Sequence, residues 1–151
     1  QNFEKEMASM RIEAACFSAR GIDWAQRLRL SLEGSEWSMG ICRCGDGGPS
    51  VHAWTAKHFF RADALLFISA TGIAVRAVAP HLQSKMTDPA VVTMDEKGQY
   101  VIPLLSGHIG GANRLAAHIA RLLDGQAVAV LTTAPDINQI FAVHSWAKEN
   151  G

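Results

Sequence analysis

No stretch of this chain approaches the roughly 18–20 consecutive apolar residues that span a bilayer, so a membrane-embedded role has no support. Residues 1–9, QNFEKEMAS, are polar and contain no hydrophobic signal region, which argues against secretion. They read as a leader or an expression remnant ahead of one α/β domain at residues 10–151. An excess of either charge is also missing: Lys and Arg total 14, and Asp and Glu total 14. A balanced chain projects no broad field toward nucleic acid or an anionic membrane, so any anionic ligand must be gripped by local groups. Cysteine is scarce and odd in number, at Cys16, Cys42 and Cys44. That argues against a disulfide scaffold and fits a reducing cytoplasm. Cys42 and Cys44, with His52 nearby, have neither the two-residue gap nor the second cysteine pair of a zinc site. No metal is assigned to them. Missing too are the Gly-x-Gly-x-x-Gly and Walker A patterns of nucleotide binders and the Gly-x-Ser-x-Gly order of a nucleophile elbow.

What the chain does have is a recurring strand, polar turn and helix. Val101, Ile102, Leu104 and Leu105 form an apolar run that breaks into Ser106-Gly107-His108-Ile109-Gly110-Gly111. Ala112, Leu115, Ala116, Ile119, Leu122 and Leu123 then recur at three-and-four spacing, the mark of one helix face. Upstream, residues 64–68 (ALLFI) lead into Ser69-Ala70-Thr71-Gly72 and a short helix ending near His81, with Thr71 as its N-cap. Residues 127–131 lead into Thr132-Thr133-Ala134-Pro135-Asp136 and a helical segment over 137–150. Further strands are predicted over 10–18 and 37–44, and helices over 21–33 and 51–61. Residues 90–94 and 100–105 flank Asp95-Glu96-Lys97-Gly98, a hairpin signal with glycine in the turn. The expected fold is therefore three-layer α/β/α with a mostly parallel sheet, made mixed by the hairpin. The three polar turns are expected to converge on one edge, where small anionic ligands are commonly held by helix N-termini.

His108 is the one ionisable side chain inside the central turn and the candidate general acid or base. Ser106 is better suited to a ligand hydrogen bond than to nucleophilic attack. Gly72, Gly107, Gly110 and Gly111 read as positions needing positive φ or close backbone approach. Asn113 and Arg114 fall in the first helical turn, where a cation opposes the helix dipole; a bound anion would supply a reason for Arg114. Arg76 and Lys85 are candidate carboxylate partners. His58, His81, His118 and His144 read as solvated.

At these residues the chain resembles the cobalamin biosynthesis protein G family (CbiG). The resemblance lies in FISATGIAVR at residues 67–76, KMTDPAVV at 85–92 and LLSGHIGGAN at 104–113. It continues in Thr132-Thr133, Phe141-Ala142-Val143 and Trp146-Ala147. Pro135 departs from it, standing where the family more often has threonine. The resemblance implies a cobalt-precorrin-5A hydrolase that opens the δ-lactone of a tetrapyrrole macrocycle and releases its methylated meso carbon as acetaldehyde. It implies a small-molecule tetrapyrrole substrate that carries its own cobalt, no separate cofactor, and a further C-terminal partner domain. In that reading His108 activates water, oriented by Asp136. Backbone amides of the Gly110-Gly111 and Thr71-Gly72 turns stabilise the oxyanion. Arg76, Lys85 and Arg114 meet the carboxylate arms, and Ser106, Gly107, Asn113 and Thr133 complete the binding surface. A non-catalytic tetrapyrrole-binding domain and a flavodoxin-like phosphate or nucleotide binder are the alternatives.

Overall fold

The computed structural model of the protein describes residues 9–107, 110–123 and 128–129. Six strands and four α-helices are placed among them, with a 3-10 turn at Ala79–His81. They are β1 (Met10–Cys16), α1 (Ala19–Ser31), β2 (Trp37–Arg43), α2 (Val51–His58), β3 (Ala64–Ile68), α3 (Thr71–Val78), β4 (Ala90–Met94), β5 (Tyr100–Leu105), α4 (Ala112–Leu122) and β6 (Val128–Ala129). The strands form one sheet in the order β2-β1-β3-β4-β5-β6. Its short inner strands are apolar on both faces because helices cover both. All five residues of β3 are buried, and so are all five of β4.

Period-two alternation sorts the side chains into two cores. Ile12, Ala14 and Cys16 of β1 and Ala64, Leu66 and Ile68 of β3 face α1 and α4, meeting Trp24, Leu28, Leu115 and Ile119. Ala15, Leu65 and Phe67 face α2 and α3, meeting Trp54, Ala74, Ala77 and Val78. Fully burying a side chain such as Leu66 or Phe67 contributes about 1.5–3 kcal/mol. The three-layer α/β/α expectation describes this architecture.

The neighbours β1–β2, β1–β3 and β3–β4 are parallel, while β4 and β5 are antiparallel, with a bulge beside Val91 and Val92. The described part of β6 runs parallel to β5. The hairpin therefore inverts the second half of the sheet. This overturns the expectation that all the turns converge. The turn after β3 lies at one edge, and the turn after β5 lies at the other, beside the starts of β3 and β4. A five-residue strand is about 16 Å long, and that length separates them.

Local chemistry moves several predicted boundaries. Helix α1 starts at Ala19, not residue 21, because Ser18 leaves the strand to cap it, its Oγ accepting from the Gly21 amide at 3.1 Å. Thr71 is not the N-cap of α3. Ala70 occupies that position in extended conformation, Thr71 is the first helical residue, and no side chain caps the helix. Helix α2 ends at His58, short of residue 61. The helix predicted over 137–150 lies outside the described residues, as does the strand predicted over 127–131 apart from Val128 and Ala129.

Candidate functional site

β5 delivers the chain into a strained turn. Ser106 has φ +56°, and among the described residues it is the only non-glycine with positive φ. The Ser106 and Gly107 carbonyls accept from the Ala112 and Asn113 amides at 3.1 and 3.0 Å, folding the turn back over the N-terminus of α4. Gly111 caps that helix at φ +84°, a conformation that a Cβ would strain. At Gly110 the constraint is contact: a Cβ there would stand 2.5 Å from the Ser106 Cβ. Asn113 is buried behind the turn, while Arg114 points to solvent from the first helical turn. The Ala112 and Asn113 amides are thus occupied, while those of Gly110 and Gly111 have no acceptor among the described residues.

The segment between α3 and β4 meets this turn. The Asp88 carboxylate accepts from the amides of Gln83, at 3.0 and 3.2 Å, and Ser84, at 3.2 Å. The Ser84 carbonyl accepts in return from the Asp88 amide at 2.8 Å. The reciprocal bonds hold residues 83–88 as a closed loop carrying exposed Lys85 at its tip. Asp88 thus does more than begin β4 ahead of Pro89. The loop and the turn border a cleft of about 240 Å³ lined by Gln83, Ser84, Lys85, Asp88, Leu105 and Ser106. The structure therefore brings together Lys85, Ser106, Gly107, Gly110, Gly111, Asn113 and Arg114 at one edge. His108, Thr133 and Asp136 lie outside the described residues.

Thr71, Gly72 and Arg76 sit at the opposite edge and cannot share a reacting centre with that turn. Gly72 is an ordinary helical residue; a Cβ there would meet only the movable end of Arg76, at 3.1 Å. Arg76 reaches back along α3 to the Gly72 carbonyl at 3.4 Å. Beside them a cleft of about 410 Å³ opens between the ends of β1 and β3, lined by Phe17, Arg20, Ser69, Ala70, Ile73 and the hairpin residues 95–97. The connections leave β1 and β3 in opposite directions there, the switch point at which doubly wound sheets commonly hold ligands. Sequence reasoning missed Arg20 and Lys97. They carry no local signal, and only the strand order places them together.

Strand order, a switch-point crevice and a glycine-rich turn opening a helix define a doubly wound α/β domain with an inverted β5–β6 half. The chain belongs to the cobalamin synthesis G N-terminal family, whose model matches residues 53–136. It is 52% identical over 103 residues to the cobalt-precorrin-5A hydrolase of Salmonella typhimurium, an alignment covering 68% of this chain and 28% of that protein. It is 47% identical over 87 residues to the cobalt-precorrin-5A hydrolase of Priestia megaterium, covering 58% and 23%. The chain thus spans about a quarter of the length of the curated relatives it matches. A solved cobalamin biosynthesis protein G homolog from Sulfolobus solfataricus superposes with a TM-score of 0.66 at 29% identity, over 88% of this chain and 39% of that one.

Proposed function

We propose that this chain supplies the N-terminal part of a cobalt-precorrin-5A hydrolase, acting in the cytoplasm on a tetrapyrrole of cobalamin biosynthesis. The observation that carries the reading is its family membership, together with 52% identity to a relative bearing that name. The activity opens the δ-lactone of the macrocycle and releases acetaldehyde. Cobalt arrives within the substrate, so the reading calls for no resident metal or cofactor, and for neither nucleic acid nor membrane.

The reacting centre in this proposal is the edge formed by residues 82–88, 106–107 and 110–114. Lys85 and Arg114 take carboxylate arms of the macrocycle, their charge favoured by local pairing because the chain has no net field. The Gly110 and Gly111 amides receive the oxyanion of the tetrahedral intermediate. From the sequence, His108 is the general base, with Asp136 orienting it and Thr133 a ligand contact. Thr71, Gly72 and Arg76 are assigned a separate anion contact at the other edge.

The test is acetaldehyde release from cobalt-precorrin-5A by the full-length protein. His108→Ala is expected to lower turnover by about 10²–10⁴-fold, the usual contribution of a general base. Unimpaired release would remove His108 from the mechanism. Lys85→Ala is expected to raise KM more than Arg76→Ala does; the reverse order would move the site to the switch-point cleft.

One observation favours a second reading. Because the chain covers only 28% of its Salmonella relative, it can serve as a binding half whose partner domain carries out the chemistry. Titrating this chain alone with cobalt-precorrin-5A separates the two. A spectral shift without acetaldehyde supports the binding half, and acetaldehyde supports a catalytic domain.

A further inference from the structure

Helix α3 is apolar on both sides. Ala74, Ala77 and Val78 are buried in the core beneath it, while Ile73 and Val75 stand exposed, Val75 at 45%. Thr71 and Arg76 are the polar residues of its TGIAVRAV sequence, and Arg76 folds back along the helix to the Gly72 carbonyl. A helix at a domain surface ordinarily turns a polar face to water, and one that is hydrophobic all round is a buried helix. The sequence of α3 is therefore that of a covered helix, yet the described residues cover only its inner side.

The exposed apolar surface runs on past the helix. The Val75 carbonyl accepts from the Ala79 amide, which sets exposed Ala79 one turn beyond Val75 on the same face. Exposed Leu82 follows, its amide donating to the Ala79 carbonyl at 3.4 Å. Phe60, just past the end of α2 and 62% exposed, sets its ring edge-on to His81 with 6.1 Å between centroids. The opposite helical layer is built differently. Asp23, Gln26, Arg27 and Arg29 of α1 and Arg114 and Arg121 of α4 are exposed there, so Leu30 stands singly among charges. A lone exposed leucine is ordinary, whereas contiguous apolar surface marks an interaction site.

The relatives indicate what covers it. The matched stretch takes up 28% and 23% of the two cobalt-precorrin-5A hydrolases and 39% of the solved Sulfolobus homolog. In each of them the greater part of the polypeptide lies outside that stretch. Interfaces between domains of one chain commonly bury about 600–1,500 Å², which needs a continuous face rather than a single side chain. We propose that the face formed by Phe60, Val75, Ala79 and Leu82 is an interdomain interface, on which a further domain of the same polypeptide seats an apolar surface over α3 and the 3-10 turn. The interface rests on family membership and stands independently of the hydrolase reading.

The experiment places the photo-crosslinking residue p-benzoylphenylalanine at Val75 of the full-length protein and, in a second preparation, at Gln26 of α1, and maps the products by mass spectrometry. Val75 is expected to join to residues of the same polypeptide outside the 151 of this chain, and Gln26 to give no such product. In parallel, Val75→Glu is expected to speed tryptic cleavage between this domain and the rest of the protein by about tenfold, the factor expected when burial of one apolar side chain is lost. Gln26→Glu is expected to leave that rate unchanged. Should Val75→Glu fail to fold, the cross-linking pair decides alone. Cross-links from Val75 that join two copies, or that stay within this chain, would overturn the proposal. So would equal yields from Val75 and Gln26, no cross-link from Val75, or a cleavage rate unmoved in folded Val75→Glu.

Discussion

At the scale of single residues, the contacts that matter are pairings across strands that neither strand announces. Gly40 exists opposite Glu13 because a methyl group there would collide with the carboxylate. Gly40→Ala is expected to destabilise the protein by about 1–3 kcal/mol, the usual range for forced overpacking. Combining it with Glu13→Ala should recover part of that loss, a coupling that denaturant unfolding of the double-mutant cycle measures. The cysteines divide in a similar way. Burial, reinforced by Cys42, pushes the Cys16 and Cys44 thiols up to about 12, whereas Cys42 is half-exposed. Since the thiolate is the nucleophile, alkylation near pH 8 should label Cys42 first and leave the other two unmodified while the fold is intact. Mass spectrometry of the alkylated protein checks this. His58, His81 and His118 depart from their solvated reading, and His144 lies outside the described residues. Half-buried His118 packs edge-on against Trp37 at 4.7 Å, and His81 lies 5.5 Å from the Phe59 ring. The aromatic partners come from other elements of the fold, Trp37 from β2 for His118 and Phe59 from the end of α2 for His81.

At the scale of elements, the hairpin shows how a local signal is completed by a distant one. The glycine predicted for its turn is Gly98, at φ +66°, and Asp95 accepts from the amides of Lys97, Gln99 and Tyr100. The hairpin and its turn glycine were legible from the sequence between two apolar runs; the Asp95 hydrogen bonds came from the structure. Docking was not legible: Trp24 of α1 donates its indole N–H to the Glu96 carbonyl at 2.9 Å and lays its ring against Gly98. A Cβ at 98 would stand 2.5 Å from that ring. Gly98→Ala therefore meets two penalties, positive φ and a packed indole. It is expected to cost about 2 kcal/mol or more and to perturb the Trp24 fluorescence. Asp88→Ala opens the 83–88 loop by removing an acceptor shared by two amides. A loss of about 1–2 kcal/mol is expected, with faster hydrogen exchange confined to Gln83 and Ser84.

At the scale of the whole molecule, burial links histidine protonation to stability. Desolvation is the largest cause holding His58 and His118 below the ordinary 6.5, with Arg121 adding to the effect on His118 and Glu13 opposing it on His58. The folded state then binds fewer protons than the unfolded state just below pH 6.5. The resulting stabilisation is complete above that value and is lost as pH falls through the folded-state values. Tm is expected to decline from about pH 7 to about pH 5.5, before most carboxylates titrate. His58→Gln and His118→Gln should each flatten the decline. A Tm that stays level across this window would rule the linkage out.

The strand–turn–helix units at residues 64–78 and 101–122 were legible in the sequence, because apolar periodicity and glycine-containing turns act over a few residues. Residues 64–68 could be read as a buried strand, and the helix after Gly111 by its inward face, without reference to anything distant. The cluster of glycines and Ser106 likewise announced a tight turn opening a helix. Only the tertiary structure decided which turns meet. One antiparallel pairing, β4 with β5, sends Ser106, Gly107, Gly110 and Gly111 to the edge occupied by Lys85 and away from Thr71, Gly72 and Arg76. It likewise took strand order to bring Arg20 beside Lys97, and strand register to set Glu13 against Gly40. Periodicity is carried by neighbours in the chain, whereas pairing direction and register depend on contacts between residues far apart in it, for which no local pattern is a substitute.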